Sequence, residues 1–292
     1  MTLEGVFPVL LTLFDEEEEI EFDAIGNLIE KLITGGTDGI TIFGFGSEFY
    51  KLSDEERTRL LHYFIERVNG RVPTIVSVTS HSTINARKQA QEAEKAGASA
   101  IMLLPPFLSR PDTRSILEHL REVIKSVGIP VVVQYAPDET GVAIPAETFL
   151  ELSSLSKAAV YVKVESTPAG PLVSRLSQSR LKVMVGKGGI AFFEALERGA
   201  VGVIPGCSMY DEFVTIFKDY VAGDKDSAFR RHNRIIPYLS FTDQSNEFFL
   251  AVEKYLLTLK GYIGRVSSRR PCVELENVHK QIIRAHFDEL NI

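Results

Sequence analysis

The sequence has no tryptophan, only two cysteines and only four methionines among its 292 residues. Cys207 and Cys272 lie far apart and form neither a disulfide framework nor a metal-ligand spacing. The 32 basic residues are outnumbered by 39 acidic ones, and this net charge of −7 argues against nucleic acid or an anionic membrane as the main partner. No apolar run approaches the ~18 residues of a membrane span, and the first residues, MTLEGVFPV, lack a signal-peptide pattern. We therefore expect a protein of the reducing cytoplasm.

What the chain does contain is ordinary for a large soluble core, with 45% hydrophobic and 24% charged residues. Short apolar runs alternate with stretches of helical period through residue 222. The predicted strands are Gly5–Phe14, Gly39–Phe43, Pro73–Val78, Ala100–Leu104, Val131–Gln134, Val160–Val164, Lys182–Val185 and Val201–Ile204. The predicted helices between them are 23–35, 53–69, 83–96, 112–127, 145–155, 169–178, 189–199 and 209–222.

This rhythm gives eight strand-then-helix units, the number that closes a (β/α)8 TIM barrel. An open doubly wound sheet is the alternative, but it usually has a glycine-rich phosphate loop after its first strand, and here acidic residues follow Phe14. After Gly223 the pattern changes to three helical stretches, near 225–238, 244–260 and 272–289. We therefore predict a barrel over residues 1–223 and a C-terminal helical domain over 224–292.

One lysine stands inside the predicted sixth strand, in the apolar run AAVYVKVE from Ala158 to Glu165. Side chains alternate along a strand, so Tyr161, Lys163 and Glu165 share one face. Burial favours the neutral amine, and a neutral lysine is the nucleophile that forms Schiff bases with carbonyl compounds. The plain alternative is a buried ion pair between Lys163 and Glu165. The strand alone does not decide between the two.

In a barrel the chemistry lies on the loops after the carboxyl ends of the strands. The glycines and Ser47 of Gly44-Phe-Gly-Ser-Glu48 could bind a substrate carboxylate, although the segment could equally be an ordinary tight turn. Tyr135 ends the fifth strand, next to the lysine strand, where its hydroxyl could relay protons or could simply be satisfied by backbone. A metal-dependent aldolase is a poor alternative, because only His81 of the six histidines lies near a strand end.

The order and spacing of these segments resemble the Schiff-base lyases of the dihydrodipicolinate synthase and N-acetylneuraminate lyase type. The resemblance covers nearly the whole chain, from Gly5-Val-Phe-Pro-Val9 to the helical tail. It implies a (β/α)8 barrel with C-terminal helices, a cofactor-free and metal-free imine with a 2-oxo acid such as pyruvate, and a homotetramer or dimer. It also implies that Lys163 and Tyr135 are catalytic. It further implies that substrate is bound by five residues: Gly46, Ser47, Glu165, Gly186 and Ile204.

The chain departs from the family pattern at several positions. Aligning its Tyr-Asn-Val-Pro motif on Pro137 without a gap puts the tyrosine position at Gln134, so that Tyr135 serves only if the strand end shifts by one residue. Two threonines of the carboxylate turn are replaced by Phe45 and Gly46, and the interface tyrosine of the fourth loop is lost. The arginine that binds a second carboxylate in dihydrodipicolinate synthases falls at Glu139, which would repel an acidic aldehyde.

Four segments are more similar to the sugar-acid branch of the family, in particular to 2-keto-3-deoxy-L-arabonate dehydratases. They are Gln134-Tyr-Ala-Pro137, Tyr161-Val-Lys-Val-Glu165, Gly186-Lys-Gly-Gly189 and the run 197–206. The leading hypothesis is therefore a class I lyase on 2-keto-3-deoxy sugar acids, with dehydration slightly ahead of aldol cleavage. The alternatives are condensation of pyruvate with an aldehyde, as in dihydrodipicolinate synthase, and a barrel that has lost catalysis and serves as a binding protein.

Overall fold

The computed structural model describes residues 2–154 and 158–290. Its strands are β1 (Gly5–Val6), β2 (Ile40–Ile42), β3 (Thr74–Thr79), β4 (Ala100–Leu104), β5 (Val131–Tyr135), β6 (Val160–Val164), β7 (Lys182–Val185) and β8 (Gly202–Val203). Its helices are α1 (Phe22–Thr34), α2 (Asp54–Val68), α3 (Thr83–Ala96), α4 (Thr113–Ile124), α5 (Pro137–Thr140), α6 (Ala146–Leu152), α7 (Gly170–Ser177), α8 (Phe192–Glu197), α9 (Tyr210–Val221), α10 (Lys225–Thr242), α11 (Asn246–Leu259) and α12 (Asn277–Leu290).

The eight strands form one parallel sheet in the order β1-β8-β7-β6-β5-β4-β3-β2. The segment after β1 closes this sheet into a barrel, because Thr41 N donates to Pro8 O at 2.9 Å and Leu10 N donates to Thr41 O at 2.7 Å. The predicted TIM-barrel fold, with helices following at its C-terminal end, is confirmed. The first predicted strand, Gly5–Phe14, was too long, since regular pairing covers only Gly5–Val6 with isolated bridges at Val9 and Phe14.

Helix boundaries follow local capping chemistry. Ser53 begins α2 with a capping box, in which its side chain accepts from Glu56 N and the Glu56 side chain accepts from Ser53 N. Asp112 and Ser245 cap α4 and α11 by accepting a backbone N–H three residues on. The short helix α5 was not predicted from the sequence, and the end of the predicted helix 145–155, which corresponds to α6, lies outside the described residues.

Two apolar layers hold the barrel together. The outer layer lies between strands and helices, and the inner layer fills the barrel. The inner layer consists of Leu3, Phe7, Val9, Ile75, Ala100, Met102, Val132, Tyr161, Met184 and Ile204. The Tyr161 hydroxyl accepts a hydrogen bond from Leu3 N at 3.0 Å, so the inner layer is sealed at the amino-terminal end and the opposite end is left for a site. Among the described helices, none is both long and apolar enough to cross a membrane.

Candidate active site

Lys163 lies one inward position beyond Tyr161 on β6, at the carboxyl end of the barrel. Its side chain is buried, with 4% of the residue exposed. The ammonium forms an ion pair with Glu165, in which Lys163 Nζ lies 2.9 Å from Glu165 Oε1. Strand alternation therefore brought both residues to one face, as predicted, and Glu165 lies where it can accept the proton that Lys163 must lose to become a nucleophile.

The Glu165 carboxylate is held by two further donors. Gln134 Nε2 donates to Oε2 at 2.6 Å, and the backbone N–H of Lys187 donates to Oε1 at 3.0 Å. Because a carboxylate accepts several hydrogen bonds and Glu165 is itself 8% exposed, these contacts fix its position rather than merely solvate it. Glu165 therefore holds the Lys163 ammonium in one position, and both side chains line the cavity described below.

Gly186 follows β7 and leaves room for this ion pair. A Cβ at this position would lie 2.2 Å from Glu165 Oε1 and 2.4 Å from Lys163 Cε. Both distances are far inside van der Waals contact, so the close packing of Lys163 and Glu165 against the β7 end requires glycine. Gly186, predicted as a substrate-binding residue, lies beside the lysine.

A cavity of about 390 Å³ opens above Lys163 and Glu165. The barrel contributes wall residues from the segments after β1, β2, β5, β7 and β8, and the rest come from the end of α10, the start of α11 and the connection between them. The barrel residues are Val9, Phe45, Gly46, Asp138, Glu139, Lys187, Gly188, Ile204, Pro205 and Gly206, and the helical ones are Leu239, Thr242, Asp243, Gln244, Ser245, Asn246 and Phe249. A cavity of this volume suits a small organic acid.

Charges at the mouth of the cavity are arranged around Lys187. Its Nζ donates to Asp138 Oδ2 at 2.6 Å and to Thr167 Oγ1 at 2.7 Å. The Lys187 hydrogen bond lowers the pKa of Asp138. Partial enclosure in the wall, together with the nearby Glu165 carboxylate, raises the pKa of Glu139. The distal part of the cavity is therefore rich in carboxylates, with Asp138, Glu139 and Asp243 on its wall.

The β2 turn, residues 44–48, contributes backbone rather than the serine hydroxyl. Gly46 lies in the cavity wall, as expected for a substrate-binding residue. Ser47 is fully buried, and its Oγ donates to Leu10 O at 2.6 Å and accepts from Phe43 N at 2.9 Å. Its own N–H donates to Gly44 O at 2.9 Å. Ser47 therefore fastens the turn to the barrel, and its polar groups are directed away from the cavity.

Tyr135 and Gln134 occupy opposite faces of β5. Gln134 pairs in register with Lys163 and points inward, where it is 1% exposed. Tyr135 packs in the outer layer against Phe149, with ring centroids 5.2 Å apart. The structure therefore brings Gln134, and not the Tyr135 ring, to the lysine. The predicted proton relay through Tyr135 has no support from this geometry.

Ile204 follows β8 and lies in the cavity wall, at the position predicted for a backbone contact. Sequence reasoning missed the contribution of the C-terminal helices, because Asp243, Asn246 and Phe249 come from the predicted C-terminal helical domain, in which no site residue was predicted. The polar run between two amphipathic helices, with Ser245 as a helix cap, was the available signal.

Comparisons with known proteins agree with the fold described above. The model of the Dihydrodipicolinate synthetase family matches residues 2–290. A 4-hydroxy-tetrahydrodipicolinate synthase from Parabacteroides distasonis is 28% identical over 300 residues, with 100% of this chain and 98% of the relative covered. An L-2-keto-3-deoxyarabonate dehydratase from Azospirillum brasilense is 27% identical over 278 residues, with coverage of 93% and 89%. One similar solved structure is YagE, a prophage protein from E. coli of the dihydrodipicolinic acid synthase family, in complex with pyruvate. It superposes on this chain with a TM-score of 0.91 at 22% identity, and the match covers 100% of this chain and 99% of the YagE chain.

The chain belongs to the dihydrodipicolinate synthetase family, whose members include relatives named as a synthase and as a dehydratase. The prediction of an enzyme of this family is confirmed. The relatives carry two different activities at nearly equal identity, so similarity alone leaves the reaction open.

Proposed function

We propose that the protein is a class I lyase that forms a Schiff base between Lys163 and a 2-oxo acid. The observation that carries this proposal is a buried lysine paired with Glu165 at 2.9 Å on the floor of a cavity of about 390 Å³. The pyruvate bound by the family member YagE supports a 2-oxo acid as ligand. Imine formation needs the neutral amine, and Glu165 at 2.9 Å is the base that can accept the proton from the Lys163 ammonium.

In the proposed reaction Lys163 loses a proton to Glu165 and attacks the keto carbon C2. The carbinolamine then loses the former keto oxygen as water and leaves an iminium. The iminium acidifies C3, a base removes a C3 proton, and the hydroxyl at C4 leaves as water after protonation; this is dehydration. Cleavage of the C3–C4 bond from the same iminium, with loss of the C4 hydroxyl proton, would instead release an aldehyde and leave an enamine that takes up a proton at C3; this is aldol cleavage. In both paths water then hydrolyses the imine, which breaks the bond to Lys163 and releases the 2-oxo product.

We propose 2-keto-3-deoxy sugar acids as the substrate class, with dehydration ahead of aldol cleavage. Asp138, Glu139 and Asp243 on the cavity wall can accept hydrogen bonds from sugar hydroxyls. These three carboxylates outnumber Lys187, which is already paired with Asp138, so a second substrate carboxylate is disfavoured there. The relationship to an L-2-keto-3-deoxyarabonate dehydratase agrees with this choice.

A dihydrodipicolinate synthase-type condensation is the second candidate, favoured by a relative of that name at 28% identity. Glu139 opposes it by its charge.

Oligomeric state and cytoplasmic location belong to the proposal as well. We expect a homo-oligomer, a tetramer or a dimer, which sedimentation velocity would test.

Borohydride trapping tests the central step. The protein is incubated with pyruvate or with a 2-keto-3-deoxy pentonate and then reduced, and the intact protein and its peptides are weighed. We expect a secondary-amine adduct on the peptide that holds Lys163, with turnover of the pentonate but not of pyruvate plus an acidic aldehyde. Failure of every 2-oxo acid to leave an adduct would instead favour a binding protein in which Lys163 is a structural charge.

A further inference from the structure

Helix α11 places two charged residues next to each other in the interior. Its residues Phe248, Leu250, Val252, Leu256 and Leu257 are buried, so the helix is enclosed on nearly all sides. Glu253 is 2% exposed and Lys254 is 5% exposed. Neighbouring residues of an α-helix point about 100° apart, so the two side chains reach different parts of the barrel. A buried charge is costly to desolvate and adds little to stability, so such a pair calls for another explanation.

Lys254 reaches the β2 turn. Its Nζ lies 2.6 Å from Glu48 Oε1, while Lys51 Nζ lies 2.9 Å from Glu48 Oε2. Glu48 is fully buried and has a left-handed backbone with φ of +53°, which a residue with a side chain rarely adopts without support. Lys254 therefore helps to hold the strained end of the turn whose Gly46 lines the cavity.

Glu253 reaches the β8 loop, residues 204–208. Its Oε2 accepts from Ser208 N at 2.9 Å, and its Oε1 accepts a short hydrogen bond from Ser208 Oγ. A Cβ on Gly206 would lie 2.5 Å from Glu253 Oε2 and 2.8 Å from Phe249 Cζ, so the loop and the helix are in close contact. Glu253 therefore fixes the loop that supplies Ile204 and Gly206 to the wall.

Phe249 comes one helical turn before this pair and closes the gap between the two loops. Its ring lies 3.8 Å from the Cβ position of Gly46 on one side and 2.8 Å from that of Gly206 on the other. The ring lines the cavity. The position of α11 therefore decides how far apart the two loops stand and how deep the cavity is.

We propose that Glu253 and Lys254 are positioning residues that tie α11 to the β8 loop and the β2 turn and thereby set the length of substrate that fits beyond the imine carbon. This inference rests on the proposed function and deepens it. Neither residue touches the reacting atoms. Pyruvate, which occupies only the floor near Lys163, depends little on this tie, whereas a five-carbon acid that reaches the Phe249 wall depends on it strongly.

The test compares Lys254→Met and Glu253→Leu with wild type in three assays: the KM and kcat for a 2-keto-3-deoxy pentonate, borohydride trapping of saturating pyruvate, and the melting temperature. We expect the KM for the pentonate to rise on the order of tenfold, while pyruvate trapping at Lys163 stays within about twofold. Glu253→Gln should keep the wild-type KM for the pentonate, because the glutamine amide still accepts a hydrogen bond from Ser208 N and donates one to Ser208 Oγ.

Arg231→Met is the matched control. It removes the ion pair of Arg231 Nη1 with Glu212 Oε2 at 3.1 Å, which joins α9 and α10, and neither residue lines the cavity. We expect a lower melting temperature with an unchanged KM. The inference would be overturned if the folded Lys254→Met and Glu253→Leu variants kept the wild-type KM for the pentonate. It would also be overturned if Arg231→Met raised that KM by as much as these two variants do.

If both α11 variants fail to fold, Ser208→Ala decides, because it removes the hydrogen bond from Ser208 Oγ to Glu253 Oε1 and leaves α11 itself unchanged. This variant must raise the KM for the pentonate while pyruvate trapping at Lys163 stays near the wild-type level. An unchanged KM for the pentonate would also overturn the inference. A wild-type protein that traps no 2-oxo acid would remove the proposed function itself, and the inference with it. Trapping and turnover by wild type together with normal variants would remove the inference alone.

Discussion

Substituting Gly186 by alanine should disturb the catalytic lysine without removing any functional group. The new Cβ would lie 2.2 Å from Glu165 Oε1 and 2.4 Å from Lys163 Cε, against an ordinary contact of about 3.5–4.0 Å. Both side chains must therefore move by more than about 1 Å, or the β7 end must shift. Overpacking of this kind costs about 1–3 kcal/mol. A displacement of about 1 Å at a nucleophile costs roughly a hundredfold in rate.

The assay measures the rate of borohydride-trapped adduct at Lys163 with pyruvate, alongside a thermal melt. We expect the Gly186→Ala variant to melt several degrees lower and to form adduct roughly a hundredfold more slowly. Gly264→Ala is the matched control, because no atom lies within 4 Å of its Cβ position, and it should behave as wild type. Adduct formation by Gly186→Ala within about twofold of the wild-type rate would refute the packing argument.

Four further substitutions test other parts of the structure. Lys163→Ala should abolish adduct formation and lower turnover by more than about 10³-fold while leaving a folded protein; residual turnover near wild type would end the Schiff-base proposal. Gln134→Ala should destabilise the protein by about 1–3 kcal/mol and slow turnover, because it removes the 2.6 Å hydrogen bond to the buried Glu165 carboxylate. Tyr135→Phe keeps its ring contact with Phe149 and should leave turnover within about twofold of wild type. The reverse ranking of the two variants in steady-state kinetics would restore Tyr135 as the proton relay. Burial raises the pKa of Glu253, so its contribution to stability is present below its ordinary pKa and is lost as the pH rises through the raised value. The melting temperature of Glu253→Gln, taken relative to that of wild type, should therefore increase from pH 5 to pH 8. A difference in melting temperature that stays constant over this range would contradict the prediction.

The sequence alone allowed the barrel to be predicted, because eight alternating units leave few other arrangements and because each buried strand is short and apolar. It also placed Lys163 and Glu165 on one face of β6. The same alternation, applied to β5 from Val132, selects Gln134 as the inward residue and Tyr135 as the outward one. The ungapped alignment on Pro137 also selects Gln134, whereas the resemblance to a family with a tyrosine at the strand end favours Tyr135.

The roles of Ser47 and of α11 could not be predicted in this way. Ser47 looked available because a hydroxyl before a helix often binds an anion, but its partners Leu10 O and Phe43 N become visible only when the β2 turn has its three-dimensional form. The Glu48–Lys254 pair joins residues 206 positions apart. Contacts of such sequence separation leave no local pattern, so the packing of α11 against the β2 turn could not be read from periodicity or capping.

The three donors around Glu165 have a consequence for the energetics of the proposed cycle. A lysine ammonium and a substrate iminium carry the same positive charge at nearly the same place, and both face a carboxylate that Gln134 and the Lys187 backbone hold still. The electrostatic field that stabilises the resting side chain is then already oriented for the covalent intermediate. Little dipole reorganisation is needed when the cation changes from ammonium to iminium, which is the kind of preorganised polarity that lowers barriers in enclosed sites.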